Sequence, residues 1–187
     1  PHAELADDRA RLLTHAPVAA RAAEMRDAHR AAAAHLERSI AVADGLPAGE
    51  VARLWTRLAS AVEQFEDGDR VLEVKREAVA RCHAAGDVEA EVHAWCGLAD
   101  AYLMQNAGAA ADEAIARATA ILPEGARGSA WLDLRRTQLM RSRQPARAQL
   151  PLWEQLVSDA REVGSARLVF ETSMNLARAD AQLGDVT

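Results

Sequence analysis

Apolar residues recur along this chain at helical intervals. Trp95, Leu98 and Tyr102 stand at i, i+3 and i+7, the spacing that places side chains on one stripe of an α-helix. The sequence lacks runs of β-branched residues with alternating polarity, so we expect no sheet. Turn residues predict ten helices, with a break between residues 14 and 17 and a kink or late helix start at Pro151. The pattern predicts an all-α chain.

Tryptophan marks the start of three units at a near-constant interval. Trp55, Trp95 and Trp131 are 40 and 36 residues apart, and Ser173 follows after a further 42. A period of this length is typical of an α-solenoid, a stack of antiparallel helix pairs in which each pair packs on its neighbours. We therefore predict one repeat domain over residues 1–187, with units near 16–47, 48–87, 88–125 and 126–165 and a partial unit over 166–187.

The unit over residues 93–123 carries the clearest motif. Its segment 95–102 reads W-C-G-L-A-D-A-Y and matches W-x-x-L-G-x-x-Y, with Ala99 in place of glycine. The small, large, small and proline positions that close the motif are filled by Ala111, Ile115, Ala118 and Pro123. Small residues let two helices approach closely, and the proline ends the second helix. The unit resembles a tetratricopeptide (TPR) repeat.

The period and the segment over residues 15–23 are similar to the TPR-like region of large ATP-dependent LuxR-type transcriptional regulators of actinobacteria. In that family a nucleotide-binding module precedes the helical region and a helix-turn-helix module follows it. This chain has no G-x-x-x-x-G-K-[ST] motif, and its one lysine, Lys75, lies inside a predicted helix. The resemblance implies a cytoplasmic sensor or scaffold segment that binds a protein, a peptide or a small apolar effector and needs no cofactor.

TPR repeats bind ligands on their first helices, and the register of the motif assigns a candidate groove. The assigned residues are Arg53, Thr56, Ser60 and Glu63, then His93, Cys96, Asp100, Leu103 and Met104, then Leu132, Arg136, Leu139 and Met140, and finally Met174 and Arg178; the same register includes Ser129 and Glu171. Three of the four methionines fall in this set, which favours a groove for an amphipathic helix or an apolar effector. The alternative is that these methionines fill gaps in the core.

Charge narrows the choice of partner. The net charge of −6 argues against nucleic-acid binding as the main function of this segment. An arginine cluster over residues 135–147 has two interpretations, a surface for an acidic partner or a solvated face with local ion pairs. No apolar stretch approaches the length of a membrane span.

Catalysis and metal binding have few candidates. Cys96 and His93 stand at i and i+3 on one helix and could form a nucleophile and base, but no third residue orients them, so we expect no enzyme. Cys82-His83 with His93 and Cys96 is the one arrangement that resembles a metal site, and its residues lie on different helix faces, so we expect no metal. A purely structural role is the other alternative. In that case the chain would form a homodimer, in which the second copy buries apolar residues of the last helix, namely Phe170, Leu176 and Leu183.

Overall fold

The computed structural model describes residues 2–184, with side chains described from residue 8 to residue 183. Within this range the chain forms nine α-helices and no strand. In chain order, α1 to α9 span His2–Glu24, His29–Ile40, Ala48–Val62, Asp69–Ala85, Val88–Met104, Gly108–Ile121, Ser129–Arg141, Ala146–Val163 and Ala166–Gly184. The all-α fold class, with adjacent helices packed as pairs in a helical-repeat arrangement, is confirmed.

Two helix ends that the sequence marks with glycine have the expected backbone geometry. Gly86 ends α4 with φ of 67°, and Gly164 ends α8 with φ of 74°. After each glycine, the next amide reaches back to the helix: Asp87 N donates to Cys82 O at 3.4 Å, and Ser165 N donates to Ala160 O at 3.2 Å. This is the Schellman motif, which needs a left-handed residue and therefore favours glycine. It reverses the chain within a few residues and starts the next helix.

A helix break predicted before Pro17 and a late helix start at Pro151, one of two alternatives predicted there, are both absent. The break expected between residues 14 and 17 is absent, because α1 runs without interruption through Pro17. A proline removes one helical hydrogen bond, but Ala16, Ala20 and Ala23 on both sides of it are buried and keep this face of α1 packed. Helix α8 likewise begins at Ala146 and continues through Pro151, so the helix does not start late. Burial of the flanking face outweighs the lost bond in both helices.

The chain divides into two compact units, Pro1–Asp87 and Val88–Thr187. In the first unit, α1 packs on α2, α2 on α3, and α3 on α4. Leu36, Leu58 and Val74 are among its most deeply buried side chains. Small side chains between the helices, such as those of Ala20 and Ala32, allow neighbouring helices to pack closely.

In the second unit, α5 packs on α6 and α8 on α9, while α7 contacts α5, α6, α8 and α9. Ala99, Ala111 and Ala118 are fully buried, as expected for small residues between closely packed helices. Trp131 lies at the edge of a core that also contains Trp153, which is 2% exposed and which the sequence pattern did not single out. None of the helices in residues 2–184 has both the length and the apolar character needed to cross a membrane.

Candidate functional site

Six charged or titratable side chains meet between α5, α7 and α9 in the second unit. This charged cluster consists of His93 and Asp100 on α5, Asp133 and Arg136 on α7, and Arg167 and Glu171 on α9. Arg136 is 4% exposed and lies at its centre. Its Nε donates to Asp133 Oδ1 at 3.0 Å and lies 3.2 Å from Glu171 Oε2, and its Nη2 donates to Asp100 Oδ2. One guanidinium therefore contacts a carboxylate from each of the three helices.

Three members of the cluster occupy equivalent positions on α5, α7 and α9. Asp100 and Arg136 are 36 residues apart, as the motif register predicts. The sequence pattern placed Ser173 level with Trp131, an offset of 42, which would set Arg178 beside Arg136. The structure places Glu171 there instead, so the register predicted for α9 is wrong by about two helical turns. The physical reason is packing, because Leu168 and Thr172 are fully buried and determine how α9 lies against the core.

Asp133 is the most enclosed carboxylate of the cluster, at 2% exposure. Its Oδ2 accepts hydrogen bonds from His93 Nδ1 at 2.7 Å and from Arg167 Nη2 at 2.9 Å. Burial alone would raise the pKa of Asp133, but the hydrogen bond from His93 and the charges of Arg136 and Arg167 outweigh it and hold the pKa well below its usual range. Asp133 is therefore a fixed negative charge.

His93 connects Asp133 to a surface hydroxyl. The Nε2 atom of its half-buried ring lies 3.0 Å from Ser129 Oγ, and Ser129 Oγ donates to Glu89 Oε1 at 2.6 Å. Asp133 can only accept, so the Nδ1 atom of His93 carries a hydrogen. The result is a continuous chain of carboxylate, imidazole, hydroxyl and carboxylate that joins α5 to the first residue of α7.

The two arginines of the cluster are held as cations. Burial alone would lower the pKa of Arg136, but the charges of Asp100 and Asp133 outweigh it and raise the pKa. Arg167 behaves in the same way, since burial is outweighed by Asp133 and Glu171. Arg167 is half exposed, and its Nη1 donates to both carboxylate oxygens of Glu171, at 3.1 and 3.0 Å. The outer rim of the cluster thus consists of side chains that solvent or a ligand can reach.

Asp100 has an unsatisfied oxygen. Its Oδ1 atom is buried, and no described residue gives it a hydrogen bond. Burial raises the pKa of Asp100 to about 6, although Arg136 opposes this shift by its charge and its hydrogen bond. The negative charges of Asp133 and Glu171 act in the same direction as burial. Asp100 therefore gains a proton at a higher pH than an ordinary aspartate does.

Three residues assigned to the groove are core residues in the structure. Cys96 and Leu132 are 0% and 1% exposed, and Leu139 is 8% exposed. Their assignment is corrected, because their side chains face the helices packed against α5 and α7 and cannot touch a ligand as placed. Leu103 is half-buried near the end of α5. Arg136 is also buried, but it takes part in the charged cluster that reaches the surface through Arg167 and Glu171.

The methionines assigned to the groove had two interpretations, contact with a ligand and gap filling in the core, and the structure separates them. Met140 is partly buried and packs against the core, where its Sδ accepts a hydrogen bond from Arg136 Nη1 at 3.0 Å. Met104 and Met174 are 83% and 52% exposed. Arg178 is exposed on the same helix as Met174. Gap filling describes Met140, while Met104 and Met174 are free to contact a ligand.

The groove residues of the first unit lie on α3 and have simpler surroundings. Thr56 and Ser60 line a concavity of about 320 Å³ together with Glu24, His29, Arg57, Ala61 and Gln64. Arg53 is exposed and lies 4.0 Å from Glu50, and Glu63 lies 3.0 Å from the buried Lys75 Nζ. Neither Arg53 nor Glu63 reaches this concavity, so the structure brings together half of the set assigned to this unit.

The candidate pair of Cys96 and His93 does not have the properties of a nucleophile and base. Burial raises the pKa of the Cys96 thiol well above its usual range, and the charge of Asp133 adds to the shift. A buried neutral thiol is inert. His93 directs its two ring nitrogens to Asp133 and Ser129 instead. Among the residues whose side chains are described, no group of three or more His, Cys, Asp or Glu is arranged to hold a metal ion.

The sequence pattern missed Asp133, Arg167 and Glu89. A signal for Asp133 exists, because it is a carboxylate between Leu132 and Leu134 on a helix whose apolar face must be buried. A charge at such a position needs a partner. The partner could not be named from the sequence, because it depends on the register between α7 and α9.

Comparison with protein-family models found none that matches this chain, and comparison with curated proteins found no match either. The charged cluster is thus interpreted from its geometry alone.

Proposed function

We propose that this chain is a helical-repeat binding module, and that α5, α7 and α9 present the surface that takes a protein or peptide. The observation that carries this proposal is the charged cluster. Asp100, Arg136 and Glu171 stand at one repeat position on three first helices and give alternating charge across them. Binding of a peptide across neighbouring helices needs side chains that are already held in place, since preorganisation lowers the entropy lost on association.

The ligand class follows from the exposed side chains at the rim. Arg167, Glu171 and Arg178 offer charges of both signs, and Met174 and Phe170 offer apolar area on the same helix. An amphipathic helix with mixed charge matches this combination, since methionine adapts to irregular apolar side chains. The TPR-like family and a place within a LuxR-type transcriptional regulator rest on the sequence resemblance. The reading frame around this segment tests them, because that family predicts a P-loop before it and a helix-turn-helix after it.

A selection from a phage-displayed library of 16-residue peptides tests the binding function. Enriched peptides are synthesised, and their Kd is measured by fluorescence anisotropy. We expect the double variant M104Q/M174Q to weaken binding at least about tenfold, because it removes apolar contact worth about 1.4 kcal/mol or more. The control is L152Q on α8, which changes another exposed apolar side chain outside the first helices. No enriched peptide, or an equal loss in the control, would contradict the proposal.

A second candidate function, a dimerisation arm, is favoured by one observation. Phe170 is 67% exposed and lies one helical turn before Met174 on α9. Large apolar side chains so close together often mark an interface. Sedimentation equilibrium would show a dimer of the native chain and a monomer of F170Q. A monomer of the native chain at high concentration would leave binding as the function.

A further inference from the structure

Ser129, His93 and Asp133 have the arrangement of a nucleophile, a base and an orienting carboxylate. Ser129 Oγ lies 3.0 Å from His93 Nε2, and His93 Nδ1 lies 2.7 Å from Asp133 Oδ2. The histidine ring connects the serine to the aspartate through its two nitrogens. Serine hydrolases activate their nucleophile with the same three residue types connected in the same order. Ser129 and Asp133 stand at i and i+4 on α7, but His93 lies 36 residues before Ser129, so only the structure shows that the three meet.

The orienting carboxylate has the properties that this role needs. Asp133 is buried, and its pKa is held below the usual range, so it remains ionised while the imidazole gains and loses a proton. Hydrogen bonds from Arg136 and Arg167 fix its position. Asp133 therefore keeps the hydrogen of the neutral His93 ring on Nδ1 and leaves Nε2 to accept the hydrogen of Ser129.

Ser129 lies at the N-terminal end of a helix, a position that favours negative charge. Ser129 is the first residue of α7, and Leu132 N is bonded to Gly128 O at 3.1 Å. The preceding amides in the first turn have no acceptor within an α-helix and lie at the positive end of its dipole. Backbone amides placed next to a nucleophile stabilise the negative charge of a tetrahedral intermediate.

Glu89 controls where the hydroxyl hydrogen of Ser129 goes. In the arrangement described, Ser129 Oγ donates to Glu89 Oε1 at 2.6 Å, so the hydrogen is directed away from His93. Glu89 is exposed at the start of α5 and can turn to solvent. When it does, the nearest acceptor for the hydroxyl hydrogen is His93 Nε2.

We infer that Ser129 is a nucleophile that takes an acyl group from small activated esters or thioesters. Ser129 Oγ attacks the acyl carbon, His93 Nε2 accepts the hydroxyl proton, and the same proton goes to the departing alcohol or thiol. Water then attacks the acyl-serine with His93 as base, which releases the carboxylic acid and restores Ser129. The inference goes beyond the proposed binding function, although it uses His93 and Asp133 of the same charged cluster. It would amend the expectation that the segment carries no catalytic residues.

Covalent labelling tests the nucleophile directly. The full chain is incubated with a fluorophosphonate, and the adduct is counted by intact mass and located by peptide mapping. We expect one adduct on Ser129 in the native chain and in the control S158A, which changes an exposed serine on α8, and none in S129A. No adduct on the folded native chain, or an equal adduct in S129A, would overturn the inference.

Two further variants assign the base. We expect H93Q to slow labelling and the hydrolysis of p-nitrophenyl acetate by about 100-fold or more, the usual contribution of a positioned general base. Far-UV circular dichroism checks that H93Q is folded, and if it is not, E89A decides. A faster rate in E89A supports His93 as the base, since Glu89 competes for the hydrogen, and an unchanged rate would contradict this competition. A slower rate would make Glu89 the base and overturn the assignment.

Discussion

Ion pairs connect helices in both units, but they are built differently. In the first unit, Arg57 on α3 pairs with Glu24 on α1, and each side chain is about one-third exposed. In the second unit, Asp133 and Arg136 are 2% and 5% exposed, and each has partners on two further helices. Exposed pairs contribute little because water screens them, whereas a buried charge that loses its partner is costly. The partly exposed Arg57–Glu24 pair is therefore replaceable, whereas the buried pair of Asp133 and Arg136 is indispensable.

The largest expected effect comes from removing the central carboxylate. D133A leaves Arg136 and Arg167 without a shared acceptor in a buried site, so we expect the free energy of unfolding to fall by about 3–5 kcal/mol. Urea unfolding followed by tryptophan fluorescence measures this loss, and Trp95, Trp131 and Trp153 report on the second unit. A loss below about 1 kcal/mol would show that the cluster behaves like a surface pair.

A smaller effect is expected from the pH dependence of Asp100. Its pKa of about 6 in the folded chain lies above the ordinary value near 3.9. The stability that it contributes is therefore complete below the ordinary value and is lost as the pH rises through about 6. D100N cannot ionise, so we expect it to remove this loss, which is on the order of 2 kcal/mol.

The urea midpoint of the native chain and of D100N, measured between pH 4.5 and pH 7.5, tests this sign. Asp133 has the opposite shift, because its pKa is lowered, and its contribution is lost only as the pH falls below the ordinary value. Parallel curves for the two proteins over this range would mean that Asp100 does not titrate there.

The smallest effect is expected in the first unit. R57A removes three bonds to Glu24, at 3.0, 3.1 and 3.2 Å, and one bond to Pro17 O at 3.3 Å. Because the pair is partly exposed, we expect a loss of about 1 kcal/mol or less. High salt should weaken the native chain by a similar amount and leave R57A almost unchanged. A loss as large as that of D133A would remove the contrast between the units.

Much of the fold could be predicted from local signals. Gly86 and Gly164 mark helix ends because their left-handed conformation costs glycine little. Ala99, Ala111 and Ala118 indicate close helix packing because larger side chains would not fit. Pro17 and Pro151 do not mark helix starts, because losing one helical hydrogen bond costs less free energy than burying a whole helix face contributes.

The candidate site could be predicted only where the repeat register was correct. His93, Asp100 and Arg136 were assigned to neighbouring positions on α5 and α7, and the structure brings them together. Arg178 was assigned beside Arg136, but Glu171 lies there because α9 packs about two turns away from the predicted register. Ser173 offers no aromatic side chain to mark the start of its helix, so the sequence alone could not set this register.

The amino-acid sequence by itself determined the helices, most of their ends and the small residues that bring them together. These features depend on neighbours within a few positions, through hydrogen-bond geometry and side-chain size. Only the tertiary structure decided which charged groups meet. Asp133 acquires His93 and Arg167 as partners because three helices from different parts of the chain pack at particular offsets. The packing of buried side chains determines how far each helix is shifted along its neighbour. Which charged side chains come into contact depends on that shift.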